Sequence, residues 1–225
     1  MPDANYIQKM FDDISPKYDL LNDLLSFGTH RLWKKKLIKL ALTDNPNSVL
    51  DCATGTGDIA FLFEKNSLNK IQACDFSEKM IHEANERKHK QHSSVSFRVA
   101  DISALPYKND EFDVSTVSFG IRNVENIKKS LQELSRTSRS LFILEFGSPS
   151  SIVWKKIYFS VLKIYFPILS VLTNRSDAYE YLISSSETFP SGKDFEEMIR
   201  NNTSYTKIES LPLFGGIAYI YSARR

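Results

Sequence analysis

From residue 46 onward, short apolar runs alternate with helical patterns, and this alternation narrows the fold more than any other feature of the chain. The runs are Ser48–Ala53, Lys70–Cys74, Val95–Val99, Phe112–Val117 and Leu141–Phe146. Helical patterns fall near Asp58–Glu64, Glu78–Lys88 and Glu125–Arg136. A strand, a crossover helix and a second strand beside the first build a parallel sheet with helices on both faces. Tyr205–Ser210 and Ile217–Ser222 flank a Pro212-to-Gly216 loop and read as a terminal antiparallel hairpin. The expected fold is therefore α/β, a doubly wound and mainly parallel seven-stranded sheet. Before it, His30–Leu40 shows Leu32, Trp33, Leu37 and Leu40 at helical spacing, and Asn45-Pro46 ends that pattern.

The chemistry concentrates where the first run ends, in Val49-Leu-Asp-Cys-Ala-Thr-Gly-Thr-Gly-Asp58. A buried strand carries Asp51, and Gly55, Thr56 and Gly57 open the next helix. Glycine lets a backbone turn tightly and approach a ligand closely, and free amides at a helix start can bind polar ligand atoms. The third glycine of a dinucleotide fingerprint is missing. Asp75 ends the second run, eighteen positions after Gly57, where an α/β nucleotide site grips ribose hydroxyls. Asp101 and Ile102 follow the third run, where a carboxylate can accept from an adenine amino group. Read separately, these residues are also a tight turn, a cap for the helix at Ser77 and a solvated strand end. Read together, they form one nucleoside site at the carboxyl edge of the sheet.

The set Asp-x-Ala-x-Gly-Thr-Gly, Asp75 and Asp101 resembles the class I S-adenosylmethionine methyltransferases, whose cofactor needs no phosphate cradle. Tyr18-Asp-Leu-Leu-Asn22, Ser26, His30 and Trp33 further resemble the first signature of the ubiquinone/menaquinone biosynthesis C-methyltransferase family. Met10-Phe-Asp12, Ala104-Leu-Pro106, Ser118-Phe-Gly-Ile-Arg-Asn123 and Leu144-Glu-Phe146 extend the match over most of the chain. The resemblance implies S-adenosylmethionine as methyl donor, contacted by Thr56, Asp75, Asp101, Ile102 and Ser118, with Tyr18 closing over it. It implies one domain over residues 1–225: a helical cap (1–45), a cofactor-binding core (46–149), a helical lid (150–200) and the hairpin (201–225). The implied reaction is methylation of a ring carbon of a prenylated quinol, demethylmenaquinol or a ubiquinol precursor. The chain departs from the family where a Lys-Pro-Gly-Gly turn usually precedes the fifth strand. Here Leu134-Ser-Arg-Thr-Ser-Arg-Ser140 runs straight on, and a tighter loop is expected.

Carbon methylation requires a ring hydroxyl to lose its proton, which a free phenol does near pH 10. Arg122 is the candidate for stabilising the oxyanion, since its charge persists and its fork donates in fixed directions. Asn123 would orient the ring oxygen or a water. His30 is a candidate base by its near-neutral intrinsic pKa, although capping or packing is an equally physical use of it. His82, His89 and His92 lie on a polar stretch and read as solvated. Cys52 and Cys74, the only cysteines, lack CxxC spacing and read as buried structural thiols. No cluster has metal-ligand spacing, and no metal is expected.

Several classes are set aside. A formal charge of +2 is too small to argue for nucleic acid, and an Asn/Asp-Pro-Pro-aromatic clamp is absent. The start lacks a signal-peptide pattern, and no run of about 18 uncharged apolar residues spans a membrane. The expected location is cytoplasmic, at the inner face of the membrane or free of it, and self-association stays open. Residues 152–172 are apolar but for Lys155 and a stripe of Lys156, Ser160, Lys163, Pro167 and Ser170. Such a helix must hide a wide face in its own core, a partner or lipid. It is expected to wall a tunnel for the polyprenyl tail, with Lys34–Lys36 and Lys155–Lys156 drawing it to the membrane surface. Two other readings remain: a methyltransferase for another small hydrophobic acceptor, and a non-catalytic scaffold in a quinone-assembly complex.

Overall fold

A computed structural model of the chain describes residues 23, 26, 28–68, 70–149, 151–173, 181 and 184–225. The helix α1 (His30–Ala41) precedes β1 (Ser48–Cys52), α2 (Asp58–Lys65), β2 (Lys70–Asp75), α3 (Glu78–Gln91), β3 (Ser96–Val99) and β4 (Phe112–Ser118). Then come α4 (Ile127–Thr137), β5 (Ser138–Phe146), α5 (Ile152–Thr173), α6 (Lys193–Asn202), β6 (Lys207–Leu213) and β7 (Ala218–Arg224). The seven strands make one sheet in the order β3-β2-β1-β4-β5-β7-β6. β1 to β5 pair in parallel, and β7 runs antiparallel to both β5 and β6. This is the expected architecture.

Alternate residues of the central strands feed two cores, as a sheet covered on both faces requires. Val49, Val114, Phe142 and Leu144 face one core with Trp33, Leu37 and Ile38 of α1 and Tyr158, Phe159 and Leu162 of α5. Leu50, Val117, Leu141 and Ile143 face the other, with Leu131 and Leu134 of α4 and Phe195 and Ile199 of α6. Cys52 and Cys74 are register partners inside this second core. Burial, with each thiol beside the other, pushes Cys52 up and keeps it protonated.

Three local expectations shift. Leu32 is 64% exposed, so the buried face of α1 is Trp33, Lys34, Leu37, Ile38 and Ala41. β6 runs on to Leu213 and takes Pro212 into the sheet, leaving only Phe214–Gly216 as the turn. A strand tolerates proline there because β6 is an edge and no neighbour needs its missing N–H.

The third shift is at the altered turn before the fifth strand. No loop remains: α4 ends at Thr137 and β5 begins at Ser138. Helix-terminal carbonyls must then find donors other than a glycine cap. Hydroxyls supply them. Thr137 Oγ1 donates to Glu133 O at 2.9 Å and Ser138 Oγ to Leu134 O at 2.8 Å. Tyr205 Oη lies 3.2 Å from both Leu134 O and Ser138 O. Tyr205→Phe removes one of these donors in a buried place and should cost about 1–2 kcal/mol, read as a lowered urea midpoint with an unchanged slope. An unchanged midpoint would show that the joint does not need it.

Candidate functional site

The neighbours of β1 diverge in chain order, β2 on one side and β4 on the other, and such a reversal opens a crevice at the carboxyl ends. A cavity of about 650 Å³ lies there, a size suited to a ligand of nucleoside dimensions. Of the residues singled out in the sequence, Asp51, Gly55, Thr56, Asp75, Asp101, Ile102, Ser118 and Asn123 line it.

The glycine turn is held from three sides. Thr54 Oγ1 donates to Asp51 Oδ2 at 2.5 Å and Thr116 Oγ1 to Asp51 Oδ1 at 2.7 Å, tying the turn to β4. Burial pushes the Asp51 carboxyl up to about 7, against the two threonine donors and the nearby Lys34 charge. Gly55 N donates to Asp75 Oδ2 at 2.8 Å, and Ser77 N to Asp75 Oδ1 at 3.0 Å. Arg87 of α3 reaches Thr56 O (2.8 Å), Thr56 Oγ1 (2.6 Å) and Asp58 Oδ1 (2.7 Å). Lys34 Nζ meets Asp58 Oδ2 at 2.9 Å. Between these two cations Asp58 is held down at about 2, against its own burial.

Gly57 does not line the cavity; its requirement is steric. At φ +92° a Cβ there would stand 2.8 Å from Phe97 and 2.9 Å from Phe61. Across the cavity the turn after β4 comes equally close. A Cβ on Gly120 would lie 2.5 Å from Ala53 Cβ, and both Ala53 and Phe119 hold positive φ, at 50° and 57°.

The residues present fit a nucleoside with hydroxyl and amino groups. Asp75 takes a backbone N–H on each oxygen, from Gly55 and Ser77, and its carboxylate stands on the cavity wall as an acceptor. Asp101, exposed on the wall, holds Ser103 N at 2.7 Å and Ser103 Oγ at 2.8 Å. Ser118 Oγ is buried on the cavity side and has no hydrogen-bond partner among the described residues.

Arg122 and His30 are not brought to the cavity wall. Both side chains of the Arg122–Glu145 ion pair are fully buried, and Arg122 N also donates to Glu145 Oε2 at 3.2 Å. The guanidinium lies over the Phe146 ring, 5.3 Å from its centre. Burial pushes Glu145 up despite Arg122 beside it. His30 is 1% exposed at the start of α1, its Nδ1 within 3.3 Å of Ser26 Oγ and of Asp23 Oδ1. It packs the helix start. Tyr18 lies outside the described residues. His82, His89 and His92 are exposed, as expected. Among the described residues no His, Cys, Asp or Glu group could hold a metal ion.

Lys34 also moves. It belongs to a basic triplet expected at a membrane surface, yet it is 7% exposed and lines the cavity. Only Lys35 and Lys36 face outward. No described residue of α5 lines this cavity. Tyr181, unanticipated, donates from Oη to Asn123 Oδ1 at 3.1 Å.

The profile of the ubiE/COQ5 methyltransferase family matches residues 2–225. A ubiquinone/menaquinone biosynthesis C-methyltransferase, UbiE, of Bdellovibrio bacteriovorus is 38% identical over 225 residues, covering 98% of this chain and 96% of that protein. Its namesake in Rickettsia akari is 36% identical over 227 residues, covering 96% and 91%. Among solved structures, a Thermotoga maritima S-adenosylmethionine-dependent methyltransferase superposes with a TM-score of 0.65, covering 97% of this chain and 99% of that one. At 14% identity, that likeness is one of fold.

Two consequences are measurable. Asp51 keeps its proton in the folded state up to about pH 7, while the unfolded chain releases it near the ordinary carboxylate value of 3.8. Its contribution to stability is therefore greatest below pH 4 and declines as pH rises to 7, by roughly 4 kcal/mol. Thermal unfolding of Asp51→Asn should lack that part of the decline between pH 4 and 7, and an identical slope in both proteins would sink the assignment. Separately, Arg122→Ala strands Glu145 and should cost about 3–5 kcal/mol. Adding Glu145→Gln to Arg122→Met should recover most of the loss in chemical denaturation, and no recovery would mean that the pair itself is not the issue.

Proposed function

The chain belongs to the ubiE/COQ5 methyltransferase family, and from that membership and its cavity we propose that it methylates a ring carbon of a prenylated quinol. It is an S-adenosylmethionine-dependent C-methyltransferase of quinone biosynthesis. The observation that carries the reading is the convergence of Asp51, Asp75, Asp101 and Ser118 on one cavity at the strand-order reversal. The donor, when bound, supplies a methyl group made electrophilic by its sulfonium. Asp75 and Asp101 would hold its ribose and adenine, and Ser118 Oγ would find its partner there.

The acceptor end is assigned to the turn after β4. Asn123 Nδ2 donates to Phe119 O at 3.3 Å, and its carbonyl accepts from Tyr181. An amide nitrogen carries two N–H groups, and the second is assigned to the ring oxygen. Arg122 is then a positioning residue. Through Glu145 it fixes the Gly120–Asn123 turn from behind, so its charge reaches the site through that turn and not by contact.

The membrane contact is assigned to α5. Ile152, Val153, Ile157, Val161 and Ile164 are all exposed, with Ile152 at 73% and Ile164 at 70%. Lys156 and Lys163 are exposed on the same helix. Among the described residues no helix is long and apolar enough to cross a membrane. A peripheral protein at the cytoplasmic face is the reading these side chains support.

The test uses purified protein, isotope-labelled S-adenosylmethionine and chemically reduced demethylmenaquinol, read by mass spectrometry. The expected product carries the label on a ring carbon and forms from the reduced quinol only. Donor binding without transfer to either a naphthoquinol or a benzoquinol would move the acceptor to another class. No donor binding would undo the cofactor assignment. Equal rates with tail-less and long-chain quinols would remove the prenyl specificity.

A further inference from the structure

We propose that Lys34, supplied by α1, anchors the carboxylate of the methyl donor's amino-acid end. The proposal rests on the donor reading above and adds to it a residue that lies outside the glycine turn and the strand ends.

The first observation is an unspent capacity. Lys34 is 7% exposed and lines the cavity. An ammonium carries three N–H donors. Among the described residues Nζ gives one of them, to Asp58 Oδ2 at 2.9 Å. A buried charge is costly unless its donors are used, so a cavity-facing ammonium with donors to spare favours an anion arriving from the cavity.

The second observation is the local charge. Asp58 is shared between Lys34 and Arg87, the latter at 2.7 Å. Arg87 spends its other contacts on Thr56 O and Oγ1, which locks it to the turn. Asp51, the remaining acid beside Lys34, is pushed up to about 7 by burial and is not a committed anion at neutral pH. Two cations therefore meet one firmly ionised carboxylate at the start of α2.

The third observation is position. Asp75 and Asp101 end β2 and follow β3, on one side of the glycine turn. Lys34 meets the first residue of α2, on the other side, where α1 packs against α2 and β5. A donor whose adenosine lies on the first side presents its amino-acid end to the second. Its carboxylate is the group that answers the Lys34 cation. A phenolate of the acceptor is the competing anion, and a purely structural tie to Asp58 is the competing role.

Calorimetric binding to the full chain separates these. The ligands are S-adenosylhomocysteine and its decarboxylated analogue, titrated into the native protein, Lys34→Met and Lys34→Arg, with each fold checked by thermal unfolding. Asp58 retains Arg87 in the Met variant, so the turn keeps its ion pair. The native protein should bind S-adenosylhomocysteine about 10- to 100-fold more tightly than the decarboxylated analogue. Lys34→Met should lose that preference through S-adenosylhomocysteine alone, and Lys34→Arg should keep most of it. Equal weakening of both ligands would overturn the proposal in favour of a structural tie. Unchanged binding of both, with slower transfer to the quinol, would overturn it in favour of the acceptor oxygen. Failure of the native protein to bind S-adenosylhomocysteine would instead strike the donor reading on which it rests.

Discussion

Asp51 is where the sheet and the ligand turn are fastened to each other. It sits in β1, accepts from Thr54 in the glycine turn and from Thr116 in β4, and so spans the point where strand order reverses. Crossover helices cannot brace that point, because the connections from β1 and into β4 lead to opposite sides. Side chains must do it. With the two strand ends so drawn together, Gly120 meets Ala53 at a distance that admits no Cβ. The exits from both strands are forced to positive φ at Ala53 and Phe119. Non-glycine residues in that region cost roughly 1–3 kcal/mol each. The strain is confined to the cavity rim, where it shapes the two turns that face each other across it.

A second fastening lies behind the first. Arg122 and Glu145 join the turn after β4 to β5 in full burial. Phe119 stacks on Phe146 at 4.5 Å, and Trp33 of α1 meets Phe146 edge-on at 6.2 Å. The Arg122 charge also reaches buried Tyr158 of α5, whose hydroxyl burial pushes well above the ordinary phenol range. One turn thereby registers the position of β5, α1 and α5 together. Such a pair need not add stability over an apolar substitute. What it supplies here is direction: a fork with fixed geometry that sets Gly120–Asn123, and with it the Asn123 amide on the cavity wall.

The strands and the carboxylates at their ends were legible because both are local. Burial on two faces makes short apolar runs, and a parallel sheet sends every carboxyl end to one edge, so Asp51, Asp75 and Asp101 had to meet. Charged side chains were harder, since their partners lie far along the chain. Arg122 reads as a site residue, and its ion pair with Glu145, more than twenty positions on, carries no signal in the local sequence. The α4–β5 joint takes a hydrogen bond from Tyr205, 71 positions from Leu134. Lys34 did carry a signal. Trp33, Lys34, Leu37, Ile38 and Ala41 form a single stripe at helical spacing, which places Lys34 inside and its neighbours Lys35 and Lys36 outside. Reading the three lysines as one basic patch erased that distinction.

α5 shows how far a local pattern can be taken. Its composition demanded a cover, and the core takes Tyr158, Phe159 and Leu162. Among the described residues of α5, five aliphatic side chains remain outside, at 43% exposure or more. Full burial of one such side chain is worth about 1.5–3 kcal/mol, and partial insertion beside lipid headgroups gives a fraction of that for each. Lys156 and Lys163 would add about 1 kcal/mol apiece on an anionic surface. On the peripheral reading proposed above, that sum would suit reversible attachment and fall short of a fixed anchor. On the same reading, that balance would match the two supplies of the proposed reaction, a donor dissolved in water and a prenylated acceptor dissolved in lipid. A helix that held more tightly would gain the second at the expense of the first.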